Sequence, residues 1–431
     1  MLVSVESINA RQSGSVEKAD NDKVVRLEKK RVANLLLISS VASAAMAAGL
    51  APRGAAAAPP LTVESKHYRV LTDLDEPAAR DYAKRLDALY EEYARRLAHF
   101  GAKNGTKFDV YLFKKRASYA KFTNNRLPNS AGIFIPGQRA LAAYEEGQGR
   151  AGLRQTLQHE AFHQFAWETI SPNLPIWLDE GLAQVFEEGV WAGDTFILGQ
   201  VPPRRIEDLQ NDLKAGRLVP IAEMLSMPRA AYQSRMRDAK AGRAQYNQAW
   251  AMTQFLVFAE GDDGKPRYRD RLLAWLRAMH DGQDPAAAFE ANFSGNVAGF
   301  ESRFKEWIAG LQPTPMAVYA DRVTKLAELL RLFNRDGLTF ESVDDLRDHL
   351  ARGRFHLTEQ RDGETVMHEE NALIYLCDLK SRNWGEKQIR FERRRGPLPD
   401  IVLSPPNGLS LRVRFFRVGK DVDHELSFEL Q

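Results

Sequence analysis

His159 and His163 stand four residues apart in the run Leu157-Gln158-His159-Glu160-Ala161-Phe162-His163-Gln164-Phe165, with a glutamate directly after the first. On a helix, residues four apart share one face. Both imidazoles can therefore turn a nitrogen toward a single ion. Glu160, rotated to the side of that face, can hold a water bound to the ion and take its proton. The chemistry open to these three side chains is metal-assisted hydrolysis with Glu160 as general base. The plainer reading is a helix that merely buries two histidines.

Either reading needs a helix here, and the flanks supply one. Leu153, Leu157, Ala161, Phe162 and Phe165 make an apolar segment free of Gly and Pro, as a buried helix requires. Ser171-Pro172-Asn173 offers a stop, and a second helix can begin after Pro175 in Pro175-Ile176-Trp177-Leu178-Asp179-Glu180-Gly181-Leu182-Ala183.

H-E-x-x-H is the pattern of zinc peptidases. Followed closely by W-L-x-E-G-x-A, it resembles the gluzincins of the MA peptidase clan, among them relatives of aminopeptidase N. Residues from about 62 to 311 are similar to the peptidase-MA-like domain of exported bacterial proteins. The similarity lies mainly in His159 to His163, Trp177 to Ala183 and Tyr246 to Trp250.

The resemblance implies one zinc per chain on His159, His163 and Glu180, with a fourth position open to water. It implies a peptide or protein substrate and Glu160 as the base in peptide-bond hydrolysis. A tyrosine or histidine well downstream stabilises the oxyanion in gluzincins. Tyr246, placed at a helix start, lies at a fitting distance; the alternative is a ring in the core with its hydroxyl at the surface. Asp179 is expected to be a surface carboxylate, with a role behind the metal ligands as the alternative. In gluzincins a sheet covers the metal helix and its edge pairs with extended substrate, for which Gly132-Ile133-Phe134 is the candidate. The G-x-M-E-N segment by which aminopeptidase N relatives grip a free amino terminus is not found before the metal helix, which counts against exopeptidase action. A rival function is a catalytically inactive gluzincin-fold binding module of the cell envelope.

A chain of 431 residues is long for one compact domain. The expected fold class is α+β: residues 59–312 as a gluzincin-type domain, with a small sheet over the zinc-bearing helix and then a helical half, followed by a smaller mixed domain at 313–431 after Pro313-Thr314-Pro315. Residues 1–58 read as a polar arm and a signal peptide or signal anchor. Lys29-Lys30-Arg31 precedes an apolar run over 32–50, and Ala45-Met46-Ala47 and Gly54-Ala55-Ala56 offer cleavage sites. The expectation is export to the periplasm or cell envelope, with membrane anchoring through 32–50 as the alternative.

Among the positioning elements, His67 to Leu71 reads as a strand. Asp75-Glu76-Pro77 starts a helix whose Tyr82, Leu86, Leu89, Tyr93, Leu97 and Phe100 recur at helical spacing. Lys107 to Phe113 alternates as a strand, and Ala131 to Tyr144 reads as two strands about Pro136-Gly137. A hairpin is expected over Trp191 to Val201. Helices follow around Pro220, from Gln245 to Phe258, from Tyr268 to Met279 and from Val297 to Leu311, the last burying Phe300, Phe304 and Trp307. Two more helices run to Gly353, then strands at 372–377, 401–404, 409–416 and 424–428.

Hydrophobic and charged contents of 44% and 27% suit a globular protein, and a formal net charge of +3 gives no general polyanion-binding surface. Arg390, Arg393, Arg394 and Arg395 read as a solvated strand face, so no nucleic-acid partner is expected. His368-Glu369 has Ala372 where a second histidine would stand and is a decoy. The single cysteine, Cys377, excludes an internal disulfide.

Overall fold

The computed structural model describes residues 3–6, 61–97, 100, 107–125, 130–293, 295–352, 356–361, 364–368, 389–404, 409–418 and 420–430. The signal and anchor readings over 29–56, the strand at 372–377 with Cys377, and the turns at 405–408 and 419 lie outside these residues. Among the described residues no helix is long and apolar enough to cross a membrane.

The described residues form a mixed α+β protein with thirteen α-helices and three sheets, two of them mixed. In chain order the first elements are β1 (Val3–Glu6), β2 (Leu61–Glu64), β3 (Tyr68–Thr72), α1 (Glu76–Arg96), β4 (Phe108–Phe113), α2 (Arg116–Phe122), β5 (Gly132–Ile135), β6 (Ala140–Tyr144), α3 (Gly149–Phe165) and α4 (Ile176–Glu187). After the hairpin β7 (Val190–Ala192) and β8 (Thr195–Ile197) come α5 (Pro203–Lys214), α6 (Ile221–Ser226), α7 (Arg229–Arg235), α8 (Ala239–Phe258), α9 (Arg269–His280), α10 (Pro285–Phe293) and α11 (Val297–Gly310). The remainder is α12 (Pro315–Arg335), α13 (Val343–Arg352), β9 (His356–Arg361), β10 (Glu364–His368), β11 (Arg390–Glu392), β12 (Asp400–Leu403), β13 (Leu409–Val418) and β14 (Asp421–Leu430).

The chain divides into two compact units. One comprises Ala33–Gly189 and Leu198–Pro313; the other comprises Met1–Val32, Val190–Ile197 and Thr314–Gln431. The first holds a five-stranded sheet in the order β2-β3-β4-β6-β5, with β3, β4 and β6 parallel and the outer pairs antiparallel. β5 is an edge strand, as expected for Gly132-Ile133-Phe134. α1 starts as its sequence directs: Asp75 accepts the Ala78 N–H at 2.8 Å and Pro77 sits in the first turn. Its apolar stripe of Tyr82, Leu86, Leu89 and Tyr93 is buried and packs on α3, with Tyr93 edge-on to Phe162 and its hydroxyl donating to the Gln158 carbonyl at 2.7 Å, while Leu97 and Phe100, expected on the same helix, are buried beyond its end.

α4 is buried on every side, all twelve of its residues included. A helix polar at Asp179 and Glu180 yet buried all round must find partners for those carboxylates inside. α8 packs against it so closely that a Cβ on Gly181 would lie 2.1 Å from Thr253 Oγ1 and 2.4 Å from the Ala249 carbonyl oxygen. Only glycine fits there, immediately after Glu180.

The second unit carries a six-stranded sheet in the order β11-β12-β13-β14-β7-β8, with the Val190–Ile197 hairpin added through a parallel pairing of Phe428 with Ala192. Leu326, Leu330 and Phe333 of α12 and Leu346 and Leu350 of α13 share its core with Ile401, Leu403, Leu411 and Val413. A separate antiparallel sheet joins β1, β9 and β10.

Several expectations need correction. The N-terminal arm, read as free of packed elements, contains β1, because Val3 to Glu6 find antiparallel partners in Glu359 to His356 that no local pattern reveals. α8 begins at Ala239, not near Gln245, since Asp238 caps it by accepting from Lys240 and Ala241 N–H groups. Trp307 is half-buried while Ile308 takes the core position on α11. Of the basic cluster only Arg390 is on a strand; Arg393, Arg394 and Arg395 lie in the bends after β11, and Arg394 is 3.6 Å from Asp400.

Candidate metal centre

α3 presents His159 and His163 on one face, as their spacing requires, and α4 brings Glu180 opposite them. His159, Glu160, His163 and Glu180 are each no more than 2% exposed. The helices are locked in register by Gln158, whose Nε2 donates to the carbonyls of Phe186, Glu187 and Gly189 at 3.1 Å each and so caps the end of α4. Gln164 ties the other side of α3 to the sheet by donating to the Arg139 carbonyl at 3.0 Å.

The two Nε2 atoms lie 3.1 Å apart, and Glu180 Oε2 is 3.6 Å from that of His159 and 3.8 Å from that of His163. All three ligand atoms fall within 4.8 Å of one another. Metal–nitrogen bonds of about 2.0–2.1 Å in tetrahedral geometry would set two such nitrogens about 3.3 Å apart, close to the spacing found. Both Glu180 oxygens are buried without a hydrogen-bond partner. Each imidazole is held from behind: His159 Nδ1 lies 2.9 Å from Glu187 Oε2, and His163 Nδ1 lies 3.0 Å from Asp179 Oδ1. A carboxylate accepting the Nδ1 proton fixes the tautomer that leaves the Nε2 lone pair free for an ion. This buried group can bind a metal ion.

The electrostatics agree. Burial opposes charging of His159, yet the carboxylates of Glu180 and Glu187 hold its proton affinity well above the ordinary value. For His163 burial is likewise outweighed, here by the charges of Asp179 and Glu180. Burial pushes the Glu160 carboxyl up to about 7 against the opposing pull of the histidines. Its Oε2 accepts the Phe134 N–H from β5 at 2.9 Å, while Oε1 is buried and without a partner. α3 approaches β5 closely enough that a Cβ on Gly132 would lie 2.5 Å from Thr156 and 3.0 Å from Glu160 Cγ.

Asp179 is a correction: expected at the surface, it is 7% exposed and serves His163 from inside, because α4 has no solvent face. Tyr246 is another, being eight residues into α8 with its hydroxyl buried and unpartnered instead of surfacing. Burial first, then the charges of Glu187 and Glu180, keep that hydroxyl protonated. Tyr232 on α7, which the sequence did not single out, has an equally buried and unpartnered hydroxyl under the influence of Glu180 and Asp179. Glu187 and Gln158 were also missed. Glu187 had a signal, since it follows Glu180 by two helical turns and therefore shares its face.

Residues 154–264 match the family described as Protein of unknown function (DUF1570), a span that contains all of α4 and α8 and the part of α3 that carries both histidines. No curated protein matches the chain.

Proposed function

We propose that the chain is a zinc metallopeptidase of gluzincin type. The observation that carries this reading is the convergence of two carboxylate-backed imidazoles on a buried glutamate whose oxygens have no hydrogen-bond partner, with a second carboxylate alongside that has one oxygen free. A zinc ion held by His159, His163 and Glu180 supplies Lewis acidity and a water acidic enough to attack near neutral pH.

The chain's own residues do the rest. Glu160 Oε1, left free while Oε2 accepts the Phe134 N–H, takes a proton from the attacking water and passes it to the amine that leaves as the C–N bond breaks. Asp179 and Glu187 keep both imidazoles in the ligating tautomer. Tyr246 or Tyr232, each a protonated hydroxyl without a partner, donates to the oxyanion as the carbonyl becomes tetrahedral. β5 offers its edge to an extended peptide. Export rests on the basic-then-apolar N-terminal run alone, and recovery of a full-length cytoplasmic product starting at Met1 would overturn it.

The test is metal analysis of the purified chain combined with a mixed peptide library read by mass spectrometry, with zinc and with chelator. One zinc per chain and chelator-sensitive cleavage that Glu160→Gln loses are expected. Bound zinc with no cleavage would replace hydrolysis by an inactive binding module.

A further inference from the structure

Beside His163 and Asp179 lies a concavity walled by Phe134, Trp167 and Leu174 and reached by Arg229 from the start of α7. Trp167 stands in the π-helical turn that continues α3, is 36% exposed, and meets Phe134 edge-on with ring centroids 6.4 Å apart. π-Turns within helices recur at functional sites. Arg229 Nη1 is shut off from solvent and has no hydrogen-bond acceptor among the described residues. Asp179 shares the concavity, but its Oδ1 is engaged with His163 Nδ1. A guanidinium nitrogen buried without an acceptor is costly, and the planar fork of the half-buried Arg229 fits a carboxylate.

We propose that this concavity is a substrate subsite that takes a carboxylate on an apolar stem, with Arg229 reading the carboxylate and Trp167 and Phe134 holding the stem. This deepens the hydrolytic reading and rests on it. The carboxylate comes either from a peptide's C-terminus or from an acidic side chain next to the cleaved bond. Both present the same two oxygens to Arg229. A grip of this kind differs from amino-terminal recognition, and the chain lacks the segment that would supply the latter.

The test compares zinc-loaded wild-type and Arg229→Gln chains on two peptide pairs: the same sequence as C-terminal acid and amide, and with internal Glu or Gln beside the cleaved bond. Wild type should favour the carboxylate member of one pair by about tenfold or more in kcat/KM, the pair identifying the source, and Arg229→Gln should level that preference. A readout independent of turnover is calorimetry of metal-free protein with 3-phenylpropanoate and its amide. The acid should bind wild type, lose about tenfold or more with Arg229→Gln, recover in part with Arg229→Lys, and weaken with Trp167→Ala. If Arg229→Gln slows acids and amides alike, or binds the acid as tightly as wild type, Arg229 merely balances the site's charge and the subsite is refuted. If no peptide is cleaved by any form while acid binding depends on Arg229, the hydrolytic reading fails and the subsite stands.

Discussion

Glu180 in the first unit and Arg412 in the second are both charged side chains taken out of water, and their surroundings treat them differently. Arg412, 8% exposed on β13, donates through Nη1 to Glu392 at 2.8 Å and to Asp400 at 3.1 Å. That cluster is closed: a cation, its anions and no donor or acceptor aimed at empty space. Glu180 sits 3.6–3.8 Å from two imidazole nitrogens, too far for good hydrogen bonds, and neither of its oxygens finds another partner. Buried charge that completes itself is satisfied within the fold; buried charge whose lone pairs converge on one point can hold a cation.

The largest effect that would sharpen this contrast is catalytic. Glu160→Gln should lower turnover by about 10²–10⁴-fold while zinc content stays at one per chain; equal loss of metal would mean Glu160 is a ligand and break the division of labour. Next, zinc at about 1,000 times its dissociation constant should stabilise the wild-type chain by about 4 kcal/mol, read as a rise in melting temperature. The His159→Ala, His163→Ala double variant should show no such rise. In the closed cluster, Arg412→Ala should cost about 3 kcal/mol by leaving Asp400 and Glu392 without their cation, with zinc binding unchanged in a metal titration. Asp179→Asn or Glu187→Gln should weaken zinc affinity by about 10–100-fold, since the imidazoles lose the carboxylate charge that raises their basicity and fixes their tautomer. The smallest change is expected from Arg393→Ala, an exposed partner of Glu341, worth under about 1 kcal/mol in thermal unfolding.

The grouping of His159, Glu160, His163 and Glu180 was legible because it is set by helical periodicity within α3 and by one short connection to α4. The stripe on α1 was legible for the same reason. Asp179 was misplaced because a carboxylate next to a ligand looks alike on a half-exposed helix and on a fully buried one, and burial of α4 depends on α8, distant in sequence. The start of α8 was hidden by Lys240, Gly242 and Arg243, which blur the apolar pattern while the cap at Asp238 does the initiating. Tyr232 was passed over because α7 has only seven residues, too few to show a period. Pairing of the Val190–Ile197 hairpin with β14 could not be read at all, since strand partners are chosen by tertiary contact and not by local spacing.

That hairpin sets a timetable. α4, with Glu180 and Glu187, leaves the ribosome directly before β7, yet the strand that β7 pairs with, Asp421–Leu430, is made far later. At synthesis rates of roughly 5–20 residues per second, the interval between Ala192 and Phe428 is on the order of tens of seconds. For that time β7 and β8 are a bare two-stranded ribbon, too small to be stable alone and open to pairing with any strand edge nearby. A chain cut short after Pro313 would remain in that condition permanently. The expected signature is aggregation at the hairpin of a truncated chain whose metal ligands are all present.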